Sequence, residues 1–330
     1  MKGDCCIDFV LPWVDDSDSQ WQSERRKYKG EDGGFMNRNE TRYRDWGILK
    51  YWFRCVEQNA PWVRKIHFIT CGHHPDWLNL NHPKLNFVKH ADYIPSKYLP
   101  TFSSHPIELN LHRIEGLAEQ FVYFNDDVFL LAPVKPVDFF KDGLPRDCGI
   151  VVIPLVADFG LVNMNDLNII NREFNFEVQF KHNFWKWVNY RYGAKAIRNL
   201  LFMHYGNFTG SKVLHVANSF RKTTFEEVWQ KYGSELDKTC MHKFRSPLDV
   251  NQWLMKYWQV VKGDFFPQSV CIGKHYYFDN TKQLERDLRS KQTKQVCFSE
   301  DDKMTDISKL KQEVINLFQQ YYPDKSSFEL

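Results

Sequence analysis

Short apolar runs alternate along this chain with stretches in which apolar residues recur every three or four positions. Residues 6–14 (CIDFVLPWV) are apolar apart from Asp8 and read as a buried strand ending at Asp15-Asp16-Ser17-Asp18. The polar, glycine-containing segment 20–39 reads as a loop. In residues 43–59, Trp46, Leu49, Trp52, Phe53 and Val56 keep helical spacing, and Pro61 lies just past the end. Residues 65–70 and 85–89 are short strand candidates. Helical spacing returns over 107–120 through Ile107, Leu111, Ile114 and Leu117, and 121–124 follows as a strand. Strands alternating with helices predict an α/β fold whose sheet has a parallel component.

The rhythm changes over 158–210. A helix is expected at 183–205, rich in Trp, Tyr, Lys and Arg, and we read this region as an inserted helical unit. It would serve as a lid or as a contact for an acceptor or a membrane. Residues 212–214 look strand-like, helices are expected at 224–232 and 248–261, and a strand at 295–298. An amphipathic helix at 307–322 closes the chain. The division expected is a catalytic core built from 1–157 and 211–305, the insertion 158–210 between them, and a terminal helix within 306–330.

Composition narrows the classes. Of 330 residues, 43% are hydrophobic and 16% aromatic, enough for a substantial core. A net charge of +3 argues against a dedicated nucleic-acid binder. Eight scattered cysteines without a CxxC pair predict a reduced, cytosolic chain. No run reaches the ~18–20 apolar residues that span a bilayer, so a soluble or peripherally attached protein is expected.

The stretch 121–131, FVYFNDDVFLL, concentrates the chemistry. Two poorly solvated like charges ~4 Å apart repel by about 4 kcal/mol at an effective dielectric near 20. Exposure, protonation of one acid or a bound cation relieves that cost. Acid clusters after strand candidates recur at Asp15-Asp16, Asp126-Asp127 and Glu300-Asp301-Asp302. Ligands of open α/β sheets bind beyond the carboxyl ends of the strands, where carboxylates hold Mg²⁺ while substrate phosphates complete its shell. Glu108 and His112, four apart, would share a helix face with Arg113 just beyond it. His215 is a candidate general base. Arg245, just before the expected helix at 248–261 with Asp249 in its first turn, is a candidate phosphate clamp. Each also has a plain reading, as a cap, a salt bridge or a solvated turn.

These blocks, in this order, resemble the stealth family of sugar-1-phosphate transferases. The matching stretches are IDFVLPWVDDSD at 7–18; RYRDWGILKYWFRCVEQNAPWVRKIHFIT and PIELNLHRIEGLAEQFVYFNDDVFLL within 42–131; the segment from His215 through FRSPLDV; and VCFSEDD at 296–302. The resemblance implies a Rossmann-like nucleotide-sugar transferase core with a helical insertion. It implies transfer of a hexose-1-phosphate from a nucleotide-diphosphate sugar, such as UDP-N-acetylglucosamine, to a hydroxyl of a saccharide or lipid-linked saccharide. A nucleoside monophosphate would leave, and the setting would be capsule or exopolysaccharide synthesis on the inner face of a bacterial membrane. Glu108, Asp127, His215 and Arg245 would be catalytic. Asp8, Asp15, Arg113 and Asn125 would line the donor site. Asp126, Asp127, Glu300 and Asp301 would hold Mg²⁺ or Mn²⁺. The family's fourth block usually reads Cys-[Ile/Leu]-Asn-Asp, and here it is Cys297-Phe298-Ser299-Glu300. The rivals are a glycosyltransferase releasing a nucleoside diphosphate, a metal-dependent phosphodiesterase and a glycan-binding module.

Overall fold

The computed structural model describes residues 6–28, 43–153, 158–300 and 304–330. Its strands are β1 (Ile7–Pro12), β2 (Ile66–Thr70), β3 (Leu85–Lys89), β4 (Gln120–Tyr123), β5 (Val128–Leu130), β6 (Phe140–Lys141), β7 (Leu144–Asp147), β8 (Asn218–Arg221), β9 (Phe266–Pro267), β10 (Gly273–Tyr277) and β11 (Gln295–Ser299). The main sheet has the order β3-β2-β1-β4-β8. Its first four strands are parallel and β8 is antiparallel to β4. Two small sheets flank it, β10-β11-β5 and β6-β7-β9.

A parallel sheet is covered on both faces, so its strands are mostly apolar, and β1 and β2 are buried along almost their whole length. Side chains alternate sides along β1. Ile7, Phe9 and Leu11 face one core with Trp52, Phe53 and Val56 of the helix Leu49–Asn59 and Phe318 of the helix Ile307–Tyr321. Val10 faces a second core with Leu254 and Trp258 of the helix Trp253–Lys262. The insertion joins that second core through Phe176, Phe180, Trp187 and Phe208.

The strands expected at 6–14, 65–70, 85–89, 121–124 and 295–298 and the terminal helix lie within a few residues of their expected positions; the strand-like segment 212–214 and several helices do not. The helix expected over 43–59 begins only at Leu49, because Gly47 has φ +67 and residues 44–46 are drawn toward β11. Helical spacing over 107–120 yields only the helix Ser104–Leu109 and one 3-10 turn, Leu111–Arg113. The Asn110 side chain donates to the Pro106 carbonyl, and Gly116 at φ +73 turns the chain away. Part of the expected loop 20–39 is instead the helix Ser19–Tyr28, begun by Asp18 accepting from the Trp21 amide; 29–39 lie outside the described residues. The expected helix 183–205 is four short turns, with Gly193 at φ +58 between the second and third. Residues 212–214 form no strand. The helix expected at 224–232 does break at Tyr232 (φ -123, ψ 25), and a second helical segment continues beyond the kink within Lys222–Met241. The one expected at 248–261 starts at Trp253, so Asp249 is not in its first turn.

Candidate active site

The order β3-β2-β1-β4 reverses between β1 and β4, the place where ligands of such sheets bind. Beyond the carboxyl ends of these two strands run the Asp15-Asp16 turn and the Asn125-Asp126-Asp127 turn. The second turn is closed by the Val128 amide donating to the Asn125 carbonyl (3.1 Å) and tied to β11 by the Phe298 amide donating to the Asp127 carbonyl (2.9 Å). Asn125 and Asp126 reach water and Asp127 is half-buried. Protein atoms nonetheless crowd both acids. That burial, with repulsion from Asp45, pushes the Asp126 carboxyl up to about 6. Burial and repulsion from Asp126 push Asp127 up to about 7.

Asp127 Oδ1 is buried with no hydrogen-bond partner. An orphaned carboxylate oxygen beside a second acid fits a hard divalent cation. Among the described residues no group of three or more His, Cys, Asp and Glu is arranged to hold a metal. The donor set therefore suits an ion held by one or two carboxylates and completed by substrate phosphates, as Mg²⁺ prefers.

The acid field extends beyond the turn. Asp45, raised by burial and by its acid neighbours Asp15 and Asp16, also acts on Asp126. Asp15 Oδ1 accepts from the Ser17 amide and hydroxyl (2.9 and 2.6 Å), closing its own turn at the rim. Asp45 went unnoticed in the sequence although it has a comparable signature, an acid between Arg44 and Trp46 ahead of a glycine.

Glu108 and Arg245 meet at the helix Ser104–Leu109. Glu108 is buried, and the Tyr123 hydroxyl at the end of β4 donates to it (3.1 Å). Burial, Glu108 and Asp126 together raise the Tyr123 phenol, so both acids act on one hydroxyl. Arg245 donates to the Ser104 hydroxyl (2.9 Å) at the start of the helix carrying Glu108. The Arg245 loop is anchored by the fully buried Asp249, whose oxygens lie 2.7 Å from His105 Nδ1, 2.6 Å from His242 Nδ1 and 2.9 Å from the Ser246 amide. Asp249 thus pairs with two histidines, not with a helix start.

His215 stands beside β10. It has φ +47, is exposed, and stacks on His275 of β10 with centroids 4.8 Å apart. His275 is the register partner of Cys297, whose thiol lies against Asp127. Its Nε2 lies 2.8 Å from the Ser299 hydroxyl. His275 with Tyr276, Tyr277, Asp279 and Asn280 lines an open cleft of about 510 Å³. Partial burial, then His275 and Lys256, lower the His215 pKa, which favours the neutral imidazole. Lys256 itself pairs with Asp147 (3.1 Å) and donates to Asn218 (2.9 Å), which stands opposite Tyr123 in the sheet. Neither His275 nor Lys256 carries a signature in the sequence: β10 lacks a continuous apolar run, and Lys256 is a lone cation in the interior of a mostly apolar helix.

Four expected residues stand differently. Asp8 is fully buried near the amino ends of the strands, paired with Arg64 and His67 and accepting from the Ala118 amide; it belongs to the sheet, away from the cleft. Arg113 bonds Asn110 (3.0 Å) and lies over Trp229 at 4.9 Å, outside the Asp126–Asp127 cleft. Neighbouring His112, no longer on a common helix with Glu108, lies against Phe225 and Trp229. Glu300 accepts from Arg44 and from the Trp46 indole (2.6 Å each), so both oxygens are already engaged in clamping residues 44–46 to β11. Asp301 lies outside the described residues.

Residues 7–33, 42–147 and 214–260 match, in turn, Stealth protein CR1, conserved region 1; Stealth protein CR2, conserved region 2; and Stealth protein CR3, conserved region 3. The chain is 43% identical over 325 residues to the capsular polysaccharide phosphotransferase WcwK of Streptococcus pneumoniae, covering 98% of each chain. It is 37% identical over 328 residues to an exopolysaccharide phosphotransferase of Lactiplantibacillus plantarum (98% of this chain, 96% of the relative). It is 38% identical over 333 residues to the receptor polysaccharide phosphotransferase WefC of Streptococcus gordonii (98% of this chain, 99% of the relative). Full-length similarity of this kind, together with three conserved regions in order, means that the chain belongs to the stealth family of bacterial phosphotransferases.

Proposed function

We propose that this enzyme transfers a hexose-1-phosphate from a nucleotide-diphosphate sugar to a hydroxyl of a saccharide or lipid-linked saccharide. The products would be a phosphodiester in a capsular or exopolysaccharide and a nucleoside monophosphate. The observation that carries this reading is the turn Asn125–Asp127, with Glu108 and Arg245 linked to it through Tyr123 and Ser104 and His215 linked through His275.

Phosphoryl transfer depends mostly on positioning and charge stabilisation. Asp126 and Asp127 would hold Mg²⁺ or Mn²⁺, which when bound offsets charge on the departing nucleotide. Arg245, steered by Ser104 and the Asp249 anchor, would stabilise the equatorial oxygens of the transferred group. A neutral His215 would take the acceptor proton, with His275 fixing its ring plane. Glu108 is the alternative base, but it is buried and already accepts from Tyr123. Among the described residues no helix is long and apolar enough to cross a membrane; the acceptor would be met at the cytoplasmic face of the envelope.

Incubation with a panel of nucleotide sugars, saccharide acceptors and divalent metals, read by phosphorus NMR, tests the proposal. A new phosphodiester resonance with nucleoside monophosphate, abolished by chelator, is expected. Release of a nucleoside diphosphate and a phosphorus-free glycoside would make the enzyme a glycosyltransferase instead.

A further inference from the structure

From Val178 to Phe225 the chain contains no acidic residue. With 41 acids in 330 residues, a stretch of that length would ordinarily hold about six. It holds eight lysines and arginines. Among the described residues two of them have carboxylate partners, Lys181 with Glu177 and Arg221 with Asp264. Lys195 and Lys212 have no carboxylate partner among the described residues. Instead partial burial, then the neighbouring Lys195 and Arg198 cations, lower the Lys212 pKa. Two ammonium groups brought together without a carboxylate leave a place for an anion.

The same stretch turns large apolar side chains outward. Trp185 is 76% exposed, Tyr190 78%, Ile197 70% and Leu201 80%; Leu200 and Tyr205 are exposed as well. These are not residues of a loose segment. The helix Lys195–Asn199 is pinned by Asn199, which is fully buried and donates to the carbonyls of Gly149 and Trp187 (2.8 Å each). Ala196 and Asn199 face inward, so Lys195, Ile197, Arg198 and Leu201 are directed outward on a rigid support.

We propose that the exposed apolar and basic side chains of this acid-free stretch dock on an anionic phospholipid surface. Lysine ammonium groups would meet headgroup phosphates, while Ile197, Leu200 and Leu201 enter the headgroup–acyl boundary and Trp185 and Tyr190 lie at its level. Charge complementarity selects this occupant. A second copy of the chain would bring the same cations against one another, and a soluble polyanion would leave the aliphatic side chains in water. The proposal deepens the reading of the enzyme as acting on a lipid-linked acceptor and rests on that reading for its purpose. The docking chemistry itself is independent of turnover. His215 follows Lys212 by three residues, so docking would hold the catalytic cleft close to the bilayer.

The test is co-sedimentation of the full chain with vesicles of phosphatidylcholine alone and of an equal mixture of phosphatidylcholine and phosphatidylglycerol, at low and high ionic strength. Binding is expected only to the anionic vesicles, weakening as salt screens the charges. The double variant Lys195→Glu with Lys212→Glu should bind roughly tenfold or more weakly. The double variant Ile197→Ser with Leu201→Ser should also lose binding, with the melting temperature of both variants unchanged. Equal binding to neutral vesicles, or anionic binding that both variants retain, would overturn the proposal. So would absence of vesicle binding with a dimer that the serine variant dissociates. Transfer to a water-soluble acceptor, measured in parallel, should survive in both variants, which separates failure of docking from failure of the proposed reaction.

Discussion

Two aspartates with opposite surroundings, Asp8 fully buried and Asp127 half-buried, illustrate how residue type alone leaves a role open. Burial would raise the Asp8 carboxyl, but hydrogen bonds from His67, Arg64 and the Ala118 amide outweigh it and hold the group below its ordinary 3.8. A depressed folded pKa contributes stability that is present above that value and lost as pH falls through the folded one. Asp8→Ala would leave Arg64 and His67 without their counter-charge and should cost about 3–5 kcal/mol, read as a lower urea midpoint. Retained stability with lost transfer would return Asp8 to the site. Asp127 is the reverse. Its pKa, raised to about 7, means that the fold keeps a proton that the unfolded chain has already lost above about 3.8. Stability therefore falls as pH rises through that window, and the deficit is complete above about 7. Metal-free Asp127→Asn should melt above the native chain at pH above about 7, with the gap closing toward pH of about 4. Its transfer rate should drop by 10²–10³ or more, on the order of losing a principal electrostatic contact.

At the scale of elements, the site is assembled by latches between segments distant in sequence. Asp249 joins the Arg245 loop to the helix Ser104–Leu109 through His105 and to the end of the helix Lys222–Met241 through His242. Asp249→Ala should destabilise by about 1.5–3 kcal/mol, the worth of hydrogen bonds to a charged group. It should also reduce kcat more than it raises KM, because Arg245 would be released from the position that matches the transition state. A rise in KM alone would show that the loop only binds substrate. The clamp of Glu300 on Arg44 and Trp46 acts likewise, pulling residues 43–48 out of the helix their spacing favours and bringing Asp45 among the cleft acids. Helical periodicity was a sound guide to which residues are buried there. It was a poor guide to backbone form, since tertiary hydrogen bonds outweighed propensities of a few tenths of a kcal/mol per residue.

For the molecule as a whole, both chain ends serve one core. The helix Ile307–Tyr321 packs Val314 and Phe318 into the core built on β1 and the helix Leu49–Asn59. The last residues are fastened by a buried two-bonded pair, Arg54 to Glu329, at 2.7 Å each, with Arg54 also donating to the Tyr322 and Pro323 carbonyls. Glu329→Ala should cost about 3–5 kcal/mol by stranding a buried guanidinium, measured as a fall in thermal midpoint. If the midpoint stayed put, the terminal segment would be an appendage rather than part of the core.

Much of this protein was legible before folding. Short, mostly apolar runs marked β1 to β4, because a strand covered on both faces buries most of its side chains, and an acid pair framed by such runs marked the turn beyond β4, because only exposure, protonation or a cation relieves it. The ordered blocks carried the family. What required the folded chain was every relation between segments far apart in sequence: that Asp8 is paired away from the cleft, that Glu300 is spent on a clamp, and that Asp45 and His275 stand beside Asp126 and His215. Period and composition record which way a side chain faces on its own element. Which distant partner it meets is set by the register of the sheets and the packing of helices upon them, and hydrogen-bond and charge energies have no meaning until those distances exist.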